Sequence, residues 1–251
     1  MHPLGTPLIR VDETPSTSSA ILENPDWLAQ PGLVMTARHQ TAGRGRVGRR
    51  WASVPGSQLQ CSMVLQPQVP AGVLPATSLM LGLAVALFLE EATGVKPSLK
   101  WPNDVRLNGQ KVCGILVESR SVGGNSTLVA GVGINLWGAV SAFPAEVQPL
   151  LTTVEAALGE TLALTEEAVL AQLLAQVKAV LTRWEQGEMA ALLAMWKERA
   201  ELNRPVRYRS TGPQGAEQEA VAVDVSPEGY LVVEAPSGQR TPLVSAEVEW
   251  L

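Results

Sequence analysis

The sequence predicts an α+β fold: a sheet-based body carrying long helices, followed by a small all-β unit. Three observations predict it. Two near-continuous apolar runs, residues 112–118 and 128–134, have the composition of interior strands of one sheet. Leu170, Leu173, Leu174, Val177, Leu181 and Trp184 recur at helical spacing. At Asn203 the texture changes, and helical periodicity gives way to short β-like runs separated by turn residues.

The elements follow in order. Short apolar stretches at residues 8–11, 32–36 and 59–65 are bounded by Pro, Gly or Ser and read as strands. Residues 75–91, rich in Ala and Leu, form a buried helix that ends near Gly94. The 112–118 and 128–134 strands make a hairpin through the turn Val122-Gly123-Gly124-Asn125. The helix through Trp184 stops at Gly187, and a second covers residues 189–200. Strands are then expected at 206–209, 220–225, 230–234 and 242–244, with turns at Thr211-Gly212-Pro213, Pro227-Glu228-Gly229 and Ser237-Gly238. About fifty residues of hairpins bury little alone, so they should form a small barrel docked on the main body. The expected division is residues 1–202 and 203–251.

Composition excludes several classes. Of 251 residues, 46% are hydrophobic and 17% charged, a balance that supports a sizeable core and rules out a disordered chain. Two cysteines, Cys61 and Cys113, cannot make a disulfide scaffold, and two histidines, His2 and His39, make no histidine-rich metal centre. The longest apolar run, near residues 79–89, is interrupted by Gly82 and falls short of the ~18 residues of a membrane span. No basic-then-apolar leader opens the chain. A cytoplasmic protein with no membrane partner is expected. The net charge of −5 argues against general nucleic-acid binding.

Against that acidic background, residues 40–51 (QTAGRGRVGRRW) are the most informative segment. Arg38, Arg44, Arg46, Arg49 and Arg50 crowd together with no acid among them, and Gly43, Gly45 and Gly48 let backbone N–H groups turn towards an anion. The arginines add forked donors for phosphate or carboxylate, and Trp51 adds a flat apolar face. The glycine spacing also fits G-x-G-x-x-G, but no helix start follows it. A nucleic-acid loop or a merely solvated basic loop would account for less of the pattern.

A second constellation is KWPND at residues 100–104, followed by KVCGILVE at 111–118. Pro102 cannot serve a sheet ladder, so Trp101, Pro102 and Asn103 leave regular strand where side chains can reach a cleft. Asn108-Gly109 is a two-residue hairpin signal, which makes Lys111 the start of the return strand, within reach of Asp104. Turn capping by Asn103 and Asp104, with a solvated Lys111, explains either stretch alone equally well. Cys113 reads as a core thiol beside Gly114, and His39 has no partner histidine. In GVGINL at 131–136 the glycines allow close approach of a ligand and Asn135 supplies a donor and an acceptor, although an edge bulge would use the same residues.

Taken together, QTAGRGRVGRRW, KWPND, KVCGILVE and GVGINL, in this order, resemble the biotin protein ligase family. The resemblance implies a mixed β-sheet flanked by helices, of the class II synthetase and biotin/lipoate ligase-like type, ending in a small C-terminal SH3-like β-barrel. It implies an ATP-dependent ligase that makes biotinyl-5′-AMP and passes biotin to a lysine of a biotin carboxyl carrier protein, an acetyl-CoA carboxylase subunit. By the same resemblance Lys111 and Arg46 are catalytic, Lys111 meeting the biotin carboxylate and α-phosphate. Ser16, Thr17, Gln40, Gly43, Arg44, Trp51, Lys111 and Gly114 match biotin-binding positions. Arg44, Arg46, Arg49, Trp51, Asn103 and Asn135 match ATP and adenylate positions, and Asp104 places Mg²⁺. The loop is implied to close over the adenylate and keep water out. A homodimer through the central sheet is a further implication.

Two departures stand out. Ser18 occupies a position where many family members have asparagine, which loosens the assignment of the ureido contacts. No segment of some sixty residues fits before Leu8 to hold a helix-turn-helix, so a ligase without repressor function and without a DNA partner is expected. A lipoate or octanoate ligase is the nearest rival, and would lack the arginine–glycine loop joined to KWPND.

Overall fold

The computed structural model describes residues 3–122, 125–210, 217–244 and 246–251. Seven strands build the main sheet: β1 (Leu8–Thr14), β2 (Val34–Gln40), β3 (Gln58–Leu65), β4 (Ser98–Lys100), β5 (Asp104–Leu107), β6 (Gln110–Val122) and β7 (Asn125–Asn135). Their order is β1-β2-β3-β7-β6-β5-β4. β1 and β2 are parallel, because α1 (Thr17–Glu23) and α2 (Pro25–Leu28) carry the chain back between them; the other pairs are antiparallel. The apolar β6 and β7 lie inside the sheet as their composition predicts. The pairing of Val122 with Asn125 supports their hairpin, whose central residues 123–124 lie outside the described residues.

The two faces of the sheet are covered differently. Leu59, Cys61, Met63 and Leu65 of β3 and Leu128, Ala130, Val132 and Ile134 of β7 face α3 (Thr77–Thr93), α4 (Glu166–Glu185) and α5 (Met189–Lys197) in one continuous core. The alternate residues Val64 and Val129 face α1 and α2 in a smaller cluster with Ile21, Leu28 and Met35. Further along that second face, β3 presents Gln58, Gln60 and Ser62 and β7 presents Gly131, Gly133 and Asn135. There the helical cover ends.

α3 is buried nearly all round and closes on Gly94, a left-handed residue whose N–H reaches the Glu90 carbonyl. With the preceding 3₁₀ turn it forms an apolar segment, Ala71–Thr93, long enough by length and composition to cross a membrane, contrary to the sequence expectation. Of its most apolar window 72% is buried inside the protein, so it is the central helix of the core. The expectation counted only the run interrupted by Gly82, but that glycine sits within the buried helix facing Ile115, Leu99 and Trp196.

The C-terminal strands β8 (Arg204–Ser210), β9 (Glu217–Val225), β10 (Leu231–Glu234), β11 (Arg240–Leu243) and β12 (Ala246–Trp250) form an antiparallel sheet ordered β11-β10-β9-β8-β12. Among the described residues β11 and β12 are its two edges, so of the SH3-like barrel expected the structure shows the antiparallel sheet but no closure; β11 is short and carries Pro242, which has no N–H to extend a ladder. The turn expected at 211–213 lies outside the described residues. This sheet is firmly docked. The Trp101 indole N–H donates to the Gly229 carbonyl at 3.0 Å, and a Cβ on Gly229 would come within 2.7 Å of the Ala76 backbone. Val206, Ala222 and Leu231 belong to the same core as α3.

Candidate active site

Where helices leave the second sheet face uncovered, a cavity of about 690 Å³ opens. Its inner end is a closed polar cluster. Ser16 caps α1 and is buried with Thr17 and Ser18. The Gln40 side-chain carbonyl accepts from the Thr17 N–H at 2.7 Å and from its hydroxyl at 3.1 Å, while the Gln40 amide donates to Gln60 at 2.8 Å. Ser62, fully buried, joins the Thr17 and Ser18 hydroxyls at 2.7 and 2.9 Å. His39 is tied to Ser53 at 3.1 Å at the rim of this network.

The floor is a pair of glycines facing each other across β6 and β7, Gly114 and Gly133. A Cβ on Gly133 would lie 2.6 Å from the Trp51 ring, and one on Gly114 would lie 3.0 Å from both Trp51 and Lys111. The indole therefore lies flat on backbone, and only glycine permits that approach. Gly131, next in the row, gives the same room to the Ser18 hydroxyl.

Lys111 reaches this floor through a bulge. The Asn108-Gly109 turn has φ of 49° and 76°, the two positive values that a type I′ hairpin needs. Leaving it, β6 pairs Lys111 with Arg106 and Cys113 with Val105, so Val112 is an extra residue. In unbroken pairing Lys111 and Gly114 would point to opposite faces; the inserted residue turns Lys111 onto the cavity face. Its ammonium lies 2.5 Å from Asp104 Oδ1 and 5.8 Å from the centre of the Trp51 ring.

The arginine–glycine loop overhangs the cavity as an irregular hairpin. Gly45 N–H donates to the Arg49 carbonyl at 2.7 Å and Trp51 N–H to the Gly43 carbonyl at 2.9 Å. At its tip Val47 is exposed with φ of 52°, a left-handed conformation that β-branched residues rarely adopt. Burial holds Arg46 below the ordinary arginine range, against the opposing attraction of Asp104. Among the described residues the lining carries nine Lys and Arg side chains against three carboxylates, Asp104, Glu217 and Glu249, so an anion is favoured there.

The structure thus brings Ser16, Thr17, Gln40, Arg44, Arg46, Arg49, Trp51, Asn103, Asp104, Lys111, Gly114 and Asn135 to one cavity. Gly43 stands apart at the loop root, where a Cβ would come 2.7 Å from the Trp51 carbonyl. The amides of Asn103 and Asn135 are committed to the protein: Asn103 donates to the Ile115 carbonyl, and Asn135 accepts from Gln58 and donates to the Thr152 carbonyl. Sequence reasoning missed Gln58, Gln60 and Ser62. Their signal was polar residues at every second position of a strand otherwise apolar, which marks a buried polar face. It also missed Lys100, whose pKa is lowered by burial and by Arg106, and whose ammonium sits 5.9 Å from the Trp250 ring. Strands β8 and β12 close that side with Tyr208 and Val248.

Comparisons with known proteins place the chain among its relatives. Residues 8–135 match the Biotin/lipoate A/B protein ligase family. The chain is 35% identical over 245 residues to the biotin–[acetyl-CoA-carboxylase] ligase of Paracoccus denitrificans, covering 94% of this chain and 97% of that one. It is 35% identical over 160 residues to the bifunctional ligase/repressor BirA of Bacillus subtilis, covering 63% of this chain and about half (49%) of that protein's length. Among solved structures, the biotin protein ligase of Aquifex aeolicus in complex with biotin and ATP superposes with a TM-score of 0.81 at 27% identity, covering 97% of this chain and 99% of the other.

Proposed function

The chain belongs to the Biotin/lipoate A/B protein ligase family, and on that premise we propose that it activates biotin with ATP and transfers it to a lysine of a biotin carboxyl carrier protein. The observation that carries this reading is one cavity with two chemistries: a buried, uncharged hydroxyl–amide cluster at one end and clustered cations at the other. A ureido ring needs paired neutral donors and acceptors, which Ser16, Thr17, Gln40 and the Ser62 network offer. A dithiolane offers that polar wall no hydrogen bond in exchange for the water it displaces, so biotin is favoured over lipoate.

In the first step a biotin carboxylate oxygen attacks the α-phosphorus of ATP, and pyrophosphate leaves with the electrons of the broken P–O bond. Both reactants are anionic. Lys111, aimed by its bulge, neutralises the carboxylate and the phosphate oxygens, and Arg46 and Arg49 meet the charge that develops. Asp104 holds the Lys111 ammonium in position until the substrates arrive. Asp104 is the carboxylate on the cavity that would hold a magnesium ion beside the phosphates, and the ion would neutralise phosphate charge there. Among the described residues no group of three His, Cys, Asp or Glu side chains forms a self-sufficient metal site. In the second step the carrier lysine amine attacks the acyl carbon, an amide forms, AMP leaves and the amine loses its proton to solvent. Trp51 and the loop shield the mixed anhydride from water meanwhile. The test is ATP–pyrophosphate exchange with biotin or lipoate as the acid. Biotin-dependent exchange is expected; exchange with lipoate alone would overturn the reading.

A further inference from the structure

We propose that Glu118 is a positioning residue for the arginine–glycine loop, holding the loop root through Arg44 so that Trp51 and Arg46 are presented over the cavity. The inference deepens the ligase reading and rests on it for the identity of the ligand.

Glu118 lies on β6 two and four residues beyond Leu116 and Gly114, so it shares their face of the sheet just past the floor. One of its carboxylate oxygens pairs with the Arg44 guanidinium. The same guanidinium donates to the Ser19 hydroxyl on α1 at 2.9 Å. Arg44 is thereby fixed to a central strand and to a helix, two parts of the core. The loop hangs from that point: Arg44 bridges to Arg50, and the Gly43 carbonyl accepts from the Trp51 N–H. A displacement of Arg44 therefore carries Trp51 off its glycine seat.

The second Glu118 oxygen is buried and has no hydrogen-bond partner among the described residues. Glu118, with residues 42–50 of the loop and Leu116, lines a space of about 570 Å³ that adjoins the main cavity. A half-satisfied buried carboxylate is costly, and a donor from a descending loop would complete it. An ion pair this open on the Arg44 side would hold little alone; Glu118 is the more enclosed partner, and the Ser19 bond holds the same guanidinium from the other side. Glu118 does not line the main cavity, so a change there reaches bound substrate only through the loop.

The test compares Glu118→Ala and Glu118→Gln with the unaltered full-length chain. In the ligand-free protein, trypsin cleavage after the loop arginines should quicken about tenfold in Glu118→Ala and less in Glu118→Gln, whose amide oxygen still accepts. Cleavage elsewhere and the melting temperature should hold. The kcat of exchange should fall by a similar factor while the biotin KM stays within about twofold, because the loop carries Arg46 to the developing charge and the inner cluster still meets biotin. Unchanged loop cleavage in Glu118→Ala would overturn the proposal, as would equal acceleration at every tryptic site or a rise in the biotin KM at constant kcat. The ligand-free cleavage rate decides on Glu118 even if biotin-dependent exchange itself fails, so the two readings stand or fall separately.

Discussion

At its inner end the cavity is lined by Ser16, Thr17 and Ser18 and backed by Ser62, all buried, each fixed by strand or helix and most of them bonded to one another. At its mouth, residues 44–50 overhang it on a few backbone hydrogen bonds, with an exposed apolar tip in a left-handed conformation. The contrast separates recognition from commitment. A neutral ring is best met by donors and acceptors already in place, since every group ordered on binding subtracts from affinity. A reactive acyl phosphate is best met by groups that arrive with it and then exclude water.

Lys111 sits at the junction of the two regions, and its loss should have the largest effect. Lys111→Ala should lower biotin-dependent exchange ~10²–10³-fold, the usual consequence of removing a group that meets transition-state charge, with an unchanged circular-dichroism spectrum. Exchange near the normal rate would place the activating cation in the loop and erase the junction. Gly133→Ala comes next. The new methyl would overlap the Trp51 ring, so the indole must leave its seat, and exchange should fall about 10²-fold. Combining it with Trp51→Ala should cost no more than Trp51→Ala alone. Additive losses would mean that Gly133 serves something other than Trp51.

Much of this contrast was legible beforehand, and the unread parts have physical reasons. Glycines at 114 and 133 and arginines at 44, 46 and 49 announce close approach and charge by residue type alone. The hairpin through Asn108-Gly109 was equally clear, because that dipeptide has one favoured turn. The bulge at Val112 was not, since nothing in a run of apolar residues says which of them goes unpaired. α1 went unread because seven residues, TSSAILE, are too short for periodicity. β12 escaped although Ala246–Trp250 alternates apolar and acidic residues as a strand should, because five residues are few for the pattern to stand out. Glu118 and Ser62 matter through partners 74 and 45 residues away, which no local pattern encodes.

A smaller change sharpens the inner half of the comparison. Ser62→Ala strips the shared partner from the Thr17 and Ser18 hydroxyls. The biotin KM should rise roughly fivefold to tenfold, about 1 kcal/mol for two hydroxyls left to find other partners. The KM for ATP and kcat should stay put, because the cluster does not reach the cationic end. A change confined to kcat would show that the two regions are mechanically coupled rather than separate.

The smallest expected effect tests the mouth. Val47 holds φ of 52° and ψ of 44° with its side chain 72% exposed, so it gains almost no packing in return for an unfavourable backbone. A left-handed residue other than glycine costs about 1–2 kcal/mol. Replacing it with glycine removes that cost, but glycine also frees the unfolded chain, which takes back about 0.5–1 kcal/mol. Val47→Gly should therefore stabilise the protein by roughly 0.5–1 kcal/mol, read as a higher denaturation midpoint at constant slope. The biotin KM should not move if recognition belongs to the inner cluster alone. Release of the adenylate should quicken, since a glycine tip samples open conformations that valine excludes. If the midpoint falls instead, Val47 is held by contacts rather than strained, and the loop would have to be regarded as a second preformed wall of the site.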